Sequence, residues 1–269
     1  MAVLSDPSPR RSEFVSLHEA GTFVMPNAWD VGSALVLQSL GFEAVATTSS
    51  GLAAALGRHD QNVTLAELTV HVADLCSVLD VPLSVDSEDG YAAEAGGLQQ
   101  TVGQLAVAGA AGLSIEDFIP GRGVLGIDEA TERVAAFSAA AHEEGIVVTA
   151  RAENHLYETG DLDDTISRLR SYHDAGADVV YAPGLDTWTE ISRVVGEVGG
   201  PVNVLLLESL NVPELSALGV RRVSTGGSLA FAAYGAMASA GRELLDTGTT
   251  GFMAGVLDGP GREAAFGQE

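Results

Sequence analysis

The chain has no lysine: all thirteen basic residues among its 269 are arginine. Schiff-base aldolase chemistry and pyridoxal-phosphate attachment both need a lysine amine, so both are excluded unless a partner chain supplies it. Cysteine is nearly absent. Cys76 stands alone, so no internal disulfide can form, which fits a reducing cytoplasm. There is no run of about 18 apolar residues to span a bilayer. The polar opening segment, Met1 to Arg11 with Pro7 and Pro9, does not read as a signal peptide. Positive charge is scarce as well, with 37 acidic residues giving a formal net charge of −24. Nucleic-acid binding rests on cations that neutralise phosphates, so neither nucleic acid nor membrane is expected as a partner. An anionic substrate would need a locally positive pocket, from a metal or a few arginines, set against this acidic field.

What is present is a large apolar fraction, 46% of the residues, enough to bury the core of one domain over 1–269. A short helix is expected over 12–20. Eight short apolar runs follow, at 22–26, 43–47, 82–86, 112–116, 146–151, 178–182, 202–206 and 221–225. Between and after them lie segments of helical character at 31–40, 64–79, 97–108, 128–144, 162–175, 187–197, 212–218 and 228–246. In the second of these, Leu65, Leu68, Val72 and Leu75 recur at helical spacing. Eight strand-then-helix units predict a (β/α)8 TIM barrel. A doubly wound open sheet is the alternative, but no GxGxxG opens the first helix. The Gly-rich tail, about 247–269, is expected to be loose.

Barrel active sites sit at the C-terminal ends of the strands. Those positions read Asn27 and Asp30, Ser49-Ser50-Gly51, Asp86 and Glu88, Glu116 and Asp117, Arg151 and Glu153, Asn203, and Thr225-Gly226-Gly227. The strand bodies are Val, Leu, Ile and Ala, so polar groups collect at one end. Carboxylates on neighbouring strands, without cysteine and with little histidine, suit a hard cation: Mg²⁺ first, Mn²⁺ second, with zinc disfavoured. Asp86 and Glu88 are the candidate ligands; the bland reading is a strand running into a solvated acidic turn. Ser50-Gly51-Leu52 could turn backbone N–H groups toward an oxyanion, or form an ordinary βα turn. Arg151 ends an apolar strand and needs Glu116, Glu153 or an anionic ligand as partner. His71, His142, His18 and His173 read as helix-surface or packing residues. His59 and His155 fall on the functional face. Trp29 and Tyr181 could be core or pocket lining.

Taken in order, several segments resemble the phosphoenolpyruvate mutase/isocitrate lyase superfamily. They are Pro26-Asn27-Ala28-Trp29-Asp30, Thr47-Thr48-Ser49-Ser50-Gly51-Leu52 with Gly57-Arg58-His59-Asp60, and Val85-Asp86-Ser87-Glu88-Asp89-Gly90-Tyr91. Ser114-Ile115-Glu116-Asp117, Thr149-Ala150-Arg151-Ala152-Glu153-Asn154 and Ala175-Gly176-Ala177-Asp178 continue the match. The resemblance implies a barrel whose last helix is swapped between subunits of a homodimer or homotetramer. It implies Mg²⁺ at Asp86 and Glu88, with Glu116 and Asp60 in an outer ring. Ser50, Gly51 and Leu52, with Asn203, would bind a small carboxylic acid whose other end Arg151 holds. The chemistry implied is an enolate of a pyruvate-like acid, formed as a C–C or P–C bond breaks or forms.

The departures matter as much. Where lyases of the superfamily carry a Lys-Cys-Gly-His loop, this chain reads Phe118-Ile119-Pro120-Gly121-Arg122-Gly123-Val124, and the mutases' Pro-Lys-x-Asn loop is missing too. Position 88 is Glu where many relatives have Asp, and Ala182-Pro183-Gly184 replaces a frequent His or Glu. The expected function is thus a Mg-dependent C–C lyase of a small 2-hydroxy or 2-keto acid. Tyr91, His59, His155 or a metal-bound water would be its acid/base, and Arg122 a lid residue. The alternatives are P–C bond chemistry, with Arg122 meeting the phosphonate, and a ligand-binding barrel without catalysis.

Overall fold

Barrel strands need apolar side chains on the face that packs under the helices, and the eight runs supply them at alternate positions, such as Leu83 and Val85 or Leu113 and Ile115. The computed structural model describes residues 6–267. Its strands are β1 (Phe23–Met25), β2 (Asn27–Ala28), β3 (Val45–Thr47), β4 (Leu83–Asp86), β5 (Gly112–Glu116), β6 (Phe118–Ile119), β7 (Gly123–Val124), β8 (Val147–Arg151), β9 (Val179–Tyr181), β10 (Val202–Leu205) and β11 (Arg222–Ser224). All are parallel in one sheet except the small β6–β7 hairpin. The sheet closes because β1 and β2 are two pieces of one stave, broken at Pro26. β1 pairs with β11, Phe23 opposite Arg222, while β2 pairs with β3, Asn27 opposite Ala46. Pro26 has no N–H for the ladder, yet its carbonyl still accepts from Ala46 N at 2.9 Å. The architecture is therefore the (β/α)8 barrel, and the open sheet is excluded by this closure.

The helices are α1 (Ser8–Leu17), α2 (Val31–Ser39), α3 (Ser49–Ala55), α4 (Leu65–Val78), α5 (Ala92–Ala95), α6 (Leu98–Ala108), α7 (Ile127–Glu143), α8 (Leu162–Asp174), α9 (Trp188–Val198), α10 (Val212–Ala217), α11 (Ser228–Asp246) and α12 (Gly259–Phe266). Polar caps set their starts: Asp30 with Ser33, and Thr64 with Glu67, close reciprocal capping boxes. Two expectations change. Residues 49–55 form helix α3 directly at the end of β3. The segment after Asp246, expected to be loose, makes a 3-10 turn at Gly251–Gly255 and then α12, which packs on α2 and buries Ala265. Helix α11 buries only Ala230 along its length, leaving Phe231, Met237, Leu244 and Leu245 exposed.

Helix α1 plugs the N-terminal end of the barrel. Phe14 is fully buried and packs edge-on against Phe23 and His18. Gly112 on β5 has to be glycine here, since a Cβ would stand 2.4 Å from the Phe14 ring. Arg11 donates to the carbonyls of Ala106, Ala110 and Glu144, tying the plug to carbonyls at and just beyond the ends of α6 and α7. His18 donates Nδ1–H to the Phe14 carbonyl at 2.7 Å, leaving Nε2 to accept from Arg222 at 3.3 Å.

Burial first, and the Arg222 charge second, push the His18 pKa down to about 3. An unfolded imidazole titrates near pH 6.5, so between these values the unfolded chain binds more protons. His18 thus contributes stability that is full above about pH 6.5 and lost as pH falls toward 3. We expect His18→Gln to flatten the acid side of the stability profile, read by urea denaturation from pH 4.5 to 7.5. An unchanged acid slope would show that His18 is not held neutral.

Candidate active site

At the C-terminal ends of the strands the barrel opens into a cavity of about 410 Å³. Ser50, Asp60, Asp86, Arg151, Tyr181 and Asn203 are on its wall. The wall is set by register. Asp86 ends β4 opposite Ser114, Glu116 ends β5 opposite Arg151, and Arg151 stands opposite Tyr181, which pairs with Asn203.

Arg151 is the hub. Its Nε donates to Glu153 at 2.8 Å, and its two terminal nitrogens reach Asp86 at 3.0 Å and Glu116 at 3.3 Å. The guanidinium also lies over the Tyr181 ring, 5.4 Å from its centroid. Burial works against the Arg151 charge, but Glu153, Glu116 and Asp86 outweigh it and hold the group well above its ordinary value. Burial pushes Glu116 and Glu153 upward, and Arg151 opposes this in both. Asp86 is fixed further by Ser49 N at 3.2 Å and Ser114 Oγ at 3.3 Å. Glu153 and Asp86 take hydrogen bonds from Arg151 while Glu116 is held as an ion pair, and N–H groups on both terminal nitrogens stay available for a ligand.

The turn after β4 is strained where it meets this cluster. Glu88 and Tyr91 adopt φ of 46° and 48°, and Gln61, which reaches Glu116 at 3.5 Å, has φ 60°. Left-handed backbone is uncommon for non-glycine residues and gathers at functional sites. Glu88 is 7% exposed and its Oε1 has no hydrogen-bond partner. Burial, then the Asp86 charge, push its pKa up to about 8, against a hydrogen bond from Tyr91. Burial and Glu88 likewise keep the Tyr91 hydroxyl protonated.

The expected site residues divide into two groups. Arg151, Asp86, Glu116 and Glu88 come together, with Asp60 at the mouth and Asn203 deeper in. Ser50 reaches the cavity, but Gly51 and Leu52 do not turn their N–H groups into it. Gly51 N points to the cap Thr48 Oγ1 at 3.3 Å and Leu52 N bonds the Thr48 carbonyl at 3.0 Å. Gly51 is needed for packing: a Cβ would meet Thr48 at 2.5 Å and Trp29 at 2.9 Å. The oxyanion reading narrows to Ser50. Tyr91 is buried behind Glu88, off the cavity wall. Arg122 on the β6–β7 hairpin is exposed and forks onto Glu129 with both bonds at 2.9 Å, so in this structure it is no lid over the cavity. His59 is exposed, and His155 packs against Gly184 at the cavity edge.

Two groups had no reading of their own in the sequence. Asp117 accepts from Arg168 at 3.0 Å, from Tyr172 at 2.6 Å and from the Glu153 backbone at 2.8 Å, which fixes Glu153 from behind. Arg168 lies 51 residues from Asp117, too far for spacing to reveal the pair. Arg222, inside β11, faces the cavity. An arginine within an apolar strand is the signal that singled out Arg151, and it was present here as well.

The fold and these segments have clear relatives. Residues 14–245 match the family model described as phosphoenolpyruvate phosphomutase. An uncharacterized protein of Mycobacterium tuberculosis is 35% identical over 87% of this chain and 89% of its own length. An oxaloacetate decarboxylase of Paraburkholderia xenovorans is 30% identical over 74% of this chain and 69% of its own. Among solved structures, a Burkholderia cenocepacia protein provisionally assigned as a lyase/mutase superposes with a TM-score of 0.89. It is 42% identical, covering 94% of both chains. A 2,3-dimethylmalate lyase of the PEP mutase/isocitrate lyase superfamily superposes with a TM-score of 0.79 at 26% identity, covering 91% of this chain and 89% of its own. With its closed barrel and its carboxylates gathered on Arg151, the chain belongs to the phosphoenolpyruvate phosphomutase family, within the phosphoenolpyruvate mutase/isocitrate lyase superfamily.

Proposed function

We propose that the protein is a Mg²⁺-dependent lyase that breaks or forms a C–C bond in a small 2-keto or 2-hydroxy carboxylic acid, through a pyruvate-like enolate. The observation that carries this is the surplus of acidic groups over cations around Arg151. Asp86, Glu116 and Glu153 crowd one guanidinium, with Glu88 and Asp60 beside them. A divalent cation would redress that balance. The donor set fits: every available group is a hard oxygen, and the buried Oε1 of Glu88 has no partner. Among the described residues no three His, Cys, Asp or Glu side chains form a ready cage. Mg²⁺ suits such a site, because it commonly takes one or two carboxylates and keeps several waters. Asp86 and Glu88 would hold it, with Mn²⁺ as the second choice. Bound there, the ion would polarise a keto oxygen and offset negative charge developing on it.

The chain's own residues supply the rest. Arg151, locked by three carboxylates, offers N–H groups of its terminal nitrogens to a substrate carboxylate. Ser50, at the N-terminal turn of α3, borders the same space and can donate to an oxygen of the substrate. Burial pushes the Tyr181 hydroxyl upward, so it stays protonated as a donor. Asp60 stands at the exposed mouth, within reach of solvent. Arg122, spent on Glu129, gives no support to phosphonate capture, so C–C chemistry is the reading favoured over P–C chemistry. For assembly, the largely exposed apolar helix α11 supports a homodimer or homotetramer in which this helix packs on a second copy.

Three outcomes are expected. With Mg²⁺, a panel of 2-methylisocitrate, 2,3-dimethylmalate, oxaloacetate and phosphonopyruvate should yield a 2-keto product from one of the carboxylic acids. Phosphate release from phosphonopyruvate alone would overturn the C–C assignment, and no turnover with tight oxalate binding would favour a binding protein. Chelation with EDTA should remove at least about 100-fold of the rate, restored by Mg²⁺ or Mn²⁺ in the wild type but not in Glu88→Ala. A fully active Glu88→Ala would refute the metal assignment. Light scattering after gel filtration should show a dimer or tetramer that Met237→Asp shifts toward monomer; a monomeric wild type would exclude the assembly.

A further inference from the structure

Arg222 is a buried cation that no acid among the described residues answers. It is 2% exposed and sits inside the barrel, two residues short of the end of β11. Its Nε donates to Asn203 Oδ1 at 2.9 Å and its terminal nitrogens donate to Thr149 Oγ1 at 2.7 Å and His18 Nε2 at 3.3 Å. All three acceptors are neutral, His18 included, since its imidazole stays unprotonated until about pH 3. Among the described residues the one counter-charge acting on it is the Tyr181 hydroxyl, itself held protonated. Burial lowers Arg222 to about 9, so it keeps its charge at neutral pH. An unpaired charge in a barrel interior is expensive unless something neutralises it.

The space beside it is open where barrels are ordinarily full. Interior layers of such barrels are packed with bulky branched side chains. Here the cavity floor next to Arg222 is lined by the small polar residues Ser84, Ser114, Thr149 and Ser224, beside Met25 and Ala46. Ser224 Oγ is held by Asn203 Nδ2 at 3.0 Å, so Asn203 bridges it to Arg222. The cavity therefore has two ends of unlike character. Its rim is acid-rich around Arg151, and its floor carries a positive charge ringed by hydroxyls.

We propose that Arg222, Asn203, Thr149 and Ser224 form an anion subsite at the cavity floor that receives a second carboxylate of the substrate. This rests on reading the rim as a keto-acid site. The neutral acceptors orient the guanidinium without consuming its charge, and two N–H groups remain for the incoming oxygens. A substrate with one carboxylate would leave that charge unanswered. The subsite thus selects dicarboxylates and sets which end of the molecule goes down. Asn203 is a positioning residue in this arrangement, acting through Arg222 and Ser224.

The test is calorimetric binding, with Mg²⁺ present, of two keto acids of equal chain length: 2-oxoglutarate, with a second carboxylate, and 2-oxopentanoate, without one. The wild type should bind 2-oxoglutarate at least about 10-fold more tightly. Arg222→Gln should erase that preference while leaving 2-oxopentanoate within about 2-fold. Arg222→Met serves as a second variant should the first fail to fold. If 2-oxopentanoate binds and 2-oxoglutarate binds no better, or if the preference survives in the folded variant, the subsite is wrong and the rim reading stands. If neither acid binds the wild type, the rim reading fails and the subsite falls with it. A stabilisation by chloride or acetate that Arg222→Gln abolishes, without any dicarboxylate preference, would assign the floor to a free anion and overturn the substrate role.

Discussion

The site depends on one guanidinium set among three carboxylates. Arg151 ends β8, and Asp86, Glu116 and Glu153 close on it from three directions within 3.3 Å. Each acid is costly to bury alone, and each is made tolerable by the shared cation. The arrangement works because parallel strands in register bring their ends to a common rim. It also gathers more acidic groups than cations in the cluster. The proposed cation would answer that surplus.

Support for the hub comes from residues that never meet the cavity. The Arg168–Asp117–Tyr172 group fixes the Glu153 backbone, and Gln61 reaches Glu116 from a left-handed turn. Below, helix α1 seals the barrel with Phe14 and lends His18 to Arg222. The plug and the cavity floor are thus one hydrogen-bonded unit. Replacing a residue in the plug reaches the cavity through Arg222.

Much of this was legible in the residues. The eight staves could be read because alternate residues of each strand, such as Leu83 and Val85 or Leu113 and Ile115, pack into the core, and three of the strands end in a charge. Arg151, Asp86 and Glu116 stood out for that reason. The oxyanion assignment of Gly51 and Leu52 went astray because a glycine after a strand looks the same whether it frees an N–H or makes room for Thr48 and Trp29. Arg122 was expected over the cavity because of its place in the loop, but Glu129 on the following helix competes for it, a contact set by how the hairpin folds back. The Asp117–Arg168 pair joins residues distant in sequence, and no local pattern encodes it. Helix α12 was hidden by its glycines, yet Pro260 in its first turn and the Asp258 cap are ordinary helix starts.

The most direct measurement on the hub is the urea stability of Arg151→Met against the wild type at pH 8 and pH 5.5. Removing the cation leaves three acids uncompensated, so the loss should be about 3–5 kcal/mol at pH 8. It should be smaller at pH 5.5, where Glu116 and Glu153 can take up protons in the folded variant. A loss below about 1 kcal/mol, equal at both pH values, would contradict the account.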